Sequence, residues 1–168
     1  MTEGAELFPG PDRDEAERIL GRYPQEHRQS AVLPLLDLAQ RRHGGWLPAA
    51  VVDAVGDYLG MPSMRVRELV TFYSMFHDRP VGRYLVQVCR TTPCWLRGSD
   101  EVLTAARQEL GIAPGETTPD GDFTLIEVEC LGACADAPVV QINDDFHERL
   151  DGGQMRAWIH AHRGPKEG

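Results

Sequence analysis

The first half of the chain repeats the hydrophobic spacing of short amphipathic helices. Apolar side chains recur three and four positions apart, which places them on one face of a helix. Proline or glycine follows each of the first three such segments, and both residues commonly end helices. The four predicted helices begin near Asp12, Ser30, Trp46 and Ser63. Residues 12 to 77 are therefore predicted to form a helical bundle.

The last helix of the bundle and the segment before the first helix allow more specific predictions. Ser63 precedes the apolar positions of the last helix, and its hydroxyl is predicted to cap that helix. The aromatic residues at the other end of the same helix, Phe72, Tyr73 and Phe76, are predicted to lie in the core. Residues 1 to 11 are polar and carry two prolines, so they are predicted to form a flexible arm.

The second half changes to strand-like runs on either side of a single helix. Tyr84 to Val88 and Phe123 to Glu129 are rich in the β-branched and aromatic residues that are typical of strands. Between them, apolar residues at helical spacing follow Ser99, which is predicted to cap the helix, and Gly111 stands where it would end. If the strands are parallel, their carboxyl ends lie at one edge of the sheet.

A hairpin and a last helix complete the second half. Asn143-Asp144-Asp145 suits a hairpin turn between two short strand-like runs, and Gln154 to His162 is predicted to be helical. This order of elements is that of the thioredoxin fold, without its Cys-x-x-Cys motif. The predicted fold class is α/β, with an N-terminal helical bundle and a thioredoxin-like domain over residues 84 to 163. Residues 78 to 83 are predicted to be a hinge, and residues 164 to 168 a tail.

The charge of the chain limits the kinds of partner that it can bind. The formal net charge is −9, and residues 84 to 168 contribute −7 of it. A helix, tight turn and helix between Val51 and Phe76 resemble a DNA-binding helix-turn-helix, but the chain lacks the basic stripe that binds phosphates. Nucleic acid is therefore excluded as a partner, whereas an acidic surface can orient an electron-transfer protein toward a basic partner.

The sequence shows no segment that would insert into a membrane. No apolar run approaches the ~20 residues needed to span a bilayer. The acidic N-terminus lacks the apolar core of a secretory signal and the arginine-rich character of a mitochondrial presequence. We therefore expect a cytoplasmic bacterial protein without direct membrane insertion.

All four cysteines lie in the second half, in two pairs. Four residues separate Cys89 from Cys94, and three separate Cys130 from Cys134. Each pair begins where a predicted strand ends, so the topology brings both pairs to the sheet edge where ligands of open α/β sheets usually bind. The four thiols therefore predict one metal site.

Three chemistries fit these thiols. Structural zinc sites typically use pairs with two to four intervening residues, and a [2Fe–2S] cluster needs two thiolates on each of two irons. Gly132 and Ala133 let the backbone approach a bulky group, which favours the cluster. Two disulfides would suit an oxidising compartment, but no signal peptide points to one. A fourth alternative, a thiol-based enzyme, would need one reactive thiol of low pKa.

The motifs around the cysteines resemble a known family. They are Cys89-x4-Cys94-Trp95-Leu96-Arg97-Gly98, Glu129-Cys130-Leu131-Gly132-Ala133-Cys134, Ala137-Pro138 and, upstream, Thr71-Phe72-Tyr73-Ser74-Met75-Phe76. Over about residues 22 to 150 the chain resembles the thioredoxin-like [2Fe–2S] subunit of bacterial NADH:quinone oxidoreductase, respiratory complex I.

The resemblance implies a [2Fe–2S] cluster bound by Cys89, Cys94, Cys130 and Cys134. It also implies one-electron transfer without catalytic residues, in a complex peripheral to the inner (plasma) membrane. The implied partners are a subunit that binds FMN and NADH and an adjacent iron–sulfur subunit, because this chain has no glycine-rich nucleotide motif. The alternatives are the small subunit of an NAD-linked hydrogenase or formate dehydrogenase and, from another class, a zinc-stabilised interaction module.

Overall fold

The computed structural model describes residues 7–164, which fold into two units that divide after Pro80. The division lies inside the segment predicted to be a hinge. Each unit has its own hydrophobic core. Residues 1–6 of the predicted arm and residues 165–168 of the predicted tail lie outside the described part of the chain.

The first unit is helical, as the hydrophobic spacing predicted. Its elements are α1 (Pro11–Leu20), a 3-10 helix (Gln25–Ala31), α2 (Val32–Arg42), α3 (Ala49–Leu59) and α4 (Ser63–Phe72). Gly60 ends α3 in the left-handed conformation, with φ at 64°, which glycine adopts without steric cost. The apolar face of each helix lies in a shared core that includes Leu35, Leu36 and Val66.

The described end of the predicted arm belongs to this core. Phe8 is 2% exposed, and its ring meets that of Tyr58 edge-on with 5.6 Å between the ring centroids. Burial of this aromatic ring, with Leu7 also packed against the core, stabilises this end of the segment. Residues 7–10 therefore contribute to the packing of the first unit rather than extending away from it.

The aromatic residues near the end of α4 divide between core and surface. Phe76 is buried as predicted, with 6% of its surface exposed, whereas Phe72 is 79% and Tyr73 is 37% exposed. The prediction of a core position is therefore wrong for Phe72 and only partly met by Tyr73. The helix ends at Phe72 and Tyr73 has extended backbone angles (φ −87°, ψ 113°), so the helical spacing does not continue to Phe76.

The predicted cap at Ser63 is also wrong. Pro62 holds the N-cap position of α4, where it makes no side-chain hydrogen bond. The Ser63 hydroxyl instead donates to the Asp53 carboxylate of α3, and Arg67 lies 2.8 Å from the same carboxylate. Ser63 and Arg67 therefore join α3 to α4 through Asp53, and the hydrogen bond from Ser63 holds the pKa of Asp53 below its ordinary value, with help from Arg67.

The second unit is a mixed five-stranded sheet with three helices. Its elements are β1 (Tyr84–Cys89), α5 (Thr92–Leu96), α6 (Ser99–Leu110), β2 (Glu116–Thr117), β3 (Phe123–Val128), a 3-10 helix (Cys134–Asp136), β4 (Val139–Ile142), β5 (Asp145–Glu148) and α7 (Gly152–His162). The strand order is β2-β3-β1-β4-β5. Strands β1 and β3 are parallel, and the other neighbouring pairs are antiparallel.

The predicted strand–helix–strand unit, hairpin and last helix are all present, so the α/β fold class is confirmed. Helices α6 and α7 share one core with the central strands. The short elements α5 and β2 were not predicted, because five and two residues are too few to establish a period. No helix within residues 7–164 combines the length and apolar character that a membrane span requires.

The start of α6 differs from its prediction by one residue. Gly98 rather than Ser99 holds the N-cap position, in the left-handed conformation with φ at 94°. Ser99 is the first helical residue and makes no capping hydrogen bond. Glycine takes this backbone conformation without strain, so the chain enters the helix before Ser99, and the hydroxyl of Ser99 lies buried.

Candidate metal centre

The four cysteines lie at the ends of two adjacent strands. Cys89 is the last residue of β1, Cys94 lies in α5, Cys130 follows β3, and Cys134 begins the second 3-10 helix. In the parallel register Cys89 pairs with Val128, so Cys130 follows two residues beyond the partner of Cys89. The predicted meeting of both pairs at one sheet edge is therefore present.

The sulfur atoms have close polar neighbours but form no disulfide. Cys130 Sγ and Cys134 Sγ are 3.4 Å apart, much farther than the ~2.05 Å of a disulfide bond, and all four cysteines are free. Thr91 Oγ1 lies 3.3 Å from Cys89 Sγ. The backbone N–H of Gly132 donates to Cys130 Sγ across 3.4 Å.

The two pairs differ in their exposure. Cys89 and Cys94 are each 1% exposed and pack in a small apolar cluster with Ala137 and Val139. Cys130 and Cys134 are exposed. One side of the site is therefore enclosed by protein, while the other is open to solvent or to a partner.

One thiol in each pair has a lowered pKa. Burial acts to raise the pKa of Cys89, but hydrogen bonds from Thr91 and from the backbone of Leu131 outweigh it and leave that pKa lowered. The backbone N–H of Gly132 lowers the pKa of Cys130. Gly132 has φ at 83°, so the loop takes a conformation that favours glycine and directs this N–H toward the sulfur.

The other thiol in each pair has a raised pKa. Burial, followed by the neighbouring Cys89, raises the pKa of Cys94 to about 11. The neighbouring Cys130 raises the pKa of Cys134. Each pair thus combines a thiol of lowered pKa with one of raised pKa, through burial, hydrogen bonds and the neighbouring cysteine together. A metal group that binds both must release the second proton.

The donor set fits a two-iron cluster. A [2Fe–2S] cluster needs two thiolates on each iron, which two neighbouring Cys pairs can supply. Donors from Thr91 and Gly132 to the sulfurs add the hydrogen bonds that commonly surround such ligands.

Sequence reasoning pointed to Gly132 but missed two other residues that contact the sulfurs, Thr91 and Leu131. Thr91 stands two positions after Cys89, and its hydroxyl next to a ligand could have been noticed from the spacing. The Leu131 backbone acts on Cys89 of the other pair, and this contact depends on the parallel register of β1 and β3. No periodicity in the sequence reports such a contact.

Comparison with known proteins agrees with this site. The sequence model of the thioredoxin-like [2Fe–2S] ferredoxin family matches residues 16–163. A relative from Rickettsia bellii (strain RML369-C), named as a component of NADH-quinone oxidoreductase, is 56% identical over 144 residues, which cover 86% of each chain. The mitochondrial NADH dehydrogenase [ubiquinone] flavoprotein 2 of Dictyostelium discoideum is 54% identical over 80% of this chain and 54% of its own length.

A solved structure of an NAD+-reducing [NiFe]-hydrogenase in the H2-reduced state superposes with a TM-score of 0.68. The superposition covers 77% of this chain but 22% of the hydrogenase chain, and the two sequences are 22% identical. At this identity the likeness supports the fold alone. The family match confirms the resemblance seen in the sequence and the [2Fe–2S] cofactor that it implied. The chain belongs to the thioredoxin-like [2Fe–2S] ferredoxin family.

Proposed function

We propose that the chain is the [2Fe–2S] electron-transfer subunit in the NADH-oxidising part of respiratory complex I. Its cluster ligands are Cys89, Cys94, Cys130 and Cys134. The observation that carries the proposal is the position of the two Cys pairs at the ends of the adjacent parallel strands β1 and β3. Family membership supports the cofactor, and the names of the relatives support the complex.

Complex I is favoured over an NAD-linked hydrogenase or a formate dehydrogenase by sequence identity. Curated relatives named as components of NADH-quinone oxidoreductase are 54 to 56% identical to this chain. The hydrogenase structure is 22% identical to this chain, and at that identity the likeness extends to the fold but not to the activity. The small-subunit role in complex I is therefore the more specific proposal.

The residues of this chain bind the cluster and stabilise its charge. The four thiolates hold the irons, while the Thr91 hydroxyl and the Gly132 N–H donate to cysteine sulfurs. When bound, the cluster supplies one-electron transfer. No bond of a substrate is made or broken on this chain, because a one-electron centre does not accept a hydride.

The proposed partners are the subunit that binds FMN and NADH and the adjacent iron–sulfur subunit. Exposed apolar side chains next to the site support such docking, since Trp95 is 56% and Leu96 is 70% exposed directly after the buried Cys94. The acidic character of residues 84 to 168 suits a partner with a basic surface. Through these subunits the chain is peripheral to the inner membrane, on its cytoplasmic side.

Electron delivery from NADH tests this function. The chain is purified anaerobically, alone and together with the FMN-bearing subunit, and each sample receives NADH. We expect the electron paramagnetic resonance signal of a reduced cluster only in the sample that contains the flavoprotein. Reduction of the cluster by NADH in the pure chain without flavin would contradict the proposal.

A further inference from the structure

Ser99 has a buried hydroxyl without a hydrogen-bond partner. The residue is 2% exposed, and its Oγ is the one buried side-chain nitrogen or oxygen atom in residues 7–164 that lacks a partner. Because Gly98 holds the N-cap position, the start of α6 does not engage this hydroxyl. Buried hydroxyl groups are almost always hydrogen-bonded to protein or to ordered water, so a partner for Ser99 is expected.

The surroundings of Ser99 provide room for that partner. Ser99 lines a cavity of about 250 Å³ to which Cys89 also contributes. At the cavity, Arg90 and Glu127 form an ion pair with 3.1 Å between their nitrogen and oxygen atoms, and Trp95 lines a further part of the wall. A water molecule in liquid has a share of about 30 Å³. A polar cavity of this size therefore has room for several waters.

Cys89 lines the cavity, but its hydrogen-bonding neighbour Thr91 does not. Thr91 lies 3.3 Å from Cys89 Sγ but is not among the residues that line the cavity. Val88 lines the cavity and belongs to the core that α6 covers, whereas Cys89 packs in the small apolar cluster at the sheet edge. A donor in the cavity would thus be independent of Thr91.

We propose that Ser99 is a positioning residue that holds water in this cavity, and that this water donates a hydrogen bond toward Cys89 and raises the reduction potential of the cluster. The inference rests on the proposed function, because it requires Cys89 to be a cluster ligand. On reduction the cluster gains one electron and negative charge. Hydrogen bonds toward its sulfurs stabilise that charge and make reduction more favourable.

Three variants of the full chain test this role. Ser99→Ala removes the hydroxyl, Ser99→Thr keeps it, and Thr104→Ala removes an exposed hydroxyl from the same helix as a matched control. Iron and acid-labile sulfide are first measured in each protein. The midpoint potential is then determined by titration with dithionite, and exchangeable protons near the reduced cluster are measured by pulsed electron paramagnetic resonance after exchange into D2O.

We expect Ser99→Ala to keep its full iron content, to shift the midpoint potential to a lower value and to lose one exchangeable proton coupling. Ser99→Thr and Thr104→Ala should match the wild type in all three measurements. A merely structural role of Ser99 would leave the potential and the coupling unchanged in a fully loaded Ser99→Ala protein, and that result would overturn the inference.

Two other outcomes are distinguishable from this one. If Ser99→Ala does not take up iron, Ser99→Gly provides a second protein without the hydroxyl. Loss of the cluster in both variants would mean that Ser99 serves folding and not the reduction potential. That result also overturns the inference. Absence of iron and sulfide from the wild type would instead contradict the proposed function.

Discussion

Cys89 pairs with Val128 in the parallel register of β1 and β3, and this single pairing brings together two thiol pairs that are 35 residues apart in the sequence. The helix α6 between the strands makes a parallel arrangement feasible, since parallel neighbours need a crossover connection. The candidate metal centre is therefore a consequence of strand topology, and its chemistry depends on the loops that follow each strand.

The four cysteines are expected to act as one unit. Replacing Cys89, Cys94, Cys130 or Cys134 by serine removes one thiolate of the cluster, so each variant should lose most of its iron or show an altered spectrum. Trp95→Phe is the matched control, because Trp95 adjoins Cys94 but supplies no thiolate; it should keep its iron. A serine variant with the iron content and spectrum of the wild type would remove that cysteine from the ligand set.

Phe72 and Phe76 form a matched pair for the stability of the first unit. Phe76→Ala empties a buried position and should lower the free energy of unfolding by about 3–5 kcal/mol. Phe72 is 79% exposed, so Phe72→Ala should change the free energy of unfolding by no more than about 0.5 kcal/mol. Denaturant unfolding of both variants measures the difference, and equal losses would contradict the exposed position of Phe72.

Gly82 is expected to tolerate no side chain. A Cβ atom there would lie 2.7 Å from the backbone carbonyl carbon of Phe123, and the Gly82 N–H donates to Thr124 Oγ1 at 2.6 Å. Gly82→Ala should therefore cost about 2–3 kcal/mol of unfolding free energy through overpacking. Gly21→Ala is the control, because a Cβ atom there lies no closer than 3.4 Å to a neighbour and should cost little.

His77 should make the first unit less stable in acid. Burial lowers the pKa of His77, with a smaller opposing effect from Asp78. In acid the unfolded chain therefore binds a proton at His77 more readily than the folded chain does. The contribution of neutral His77 to the free energy of unfolding is complete above its ordinary pKa of about 6.5. It is lost as the pH falls from that value toward the lowered pKa of the folded state. His77→Asn should flatten this part of the curve of unfolding free energy against pH. An unchanged slope in the variant would exclude His77 as its cause.

The second unit is expected to fold and bind iron by itself. It has its own core, and all four cysteines lie within it. We further propose that the first unit, with its exposed Phe72, helps to dock the partner. A fragment that begins at Pro80 should therefore keep the spectrum of the full chain but bind the FMN-bearing subunit less well. Iron content and co-purification measure the two properties. Full association of the fragment would show that the first unit is not the principal docking surface.

The sequence predicted the features that depend on local spacing. The helices of the first unit and the strand–helix–strand order of the second followed from apolar periods and from proline and glycine at their ends. The caps at Ser63 and Ser99 were misplaced by one residue, because Pro62 and Gly98 take the preceding position. Residue type alone does not show which of two adjacent residues adopts the N-cap angles.

Features that depend on packing between distant segments were not predictable. The contact of the Leu131 backbone with Cys89 requires the register of β1 and β3. The cavity beside Ser99 depends on how α6 lies over β1. The exposure of Phe72 depends on where α4 ends, and the apolar spacing continued past that point. In each case tertiary geometry determines the result, and a single sequence contains no local signal for it.

Metal analysis of the anaerobically purified full chain tests the central claim most directly. Iron, acid-labile sulfide and zinc are measured per chain, together with the electron paramagnetic resonance spectrum of the dithionite-reduced protein. We expect about two irons and two sulfides per chain and the signal of a reduced [2Fe–2S] cluster. A protein that contains zinc in place of iron, or neither iron nor sulfide, would contradict the assignment of the four cysteines as cluster ligands.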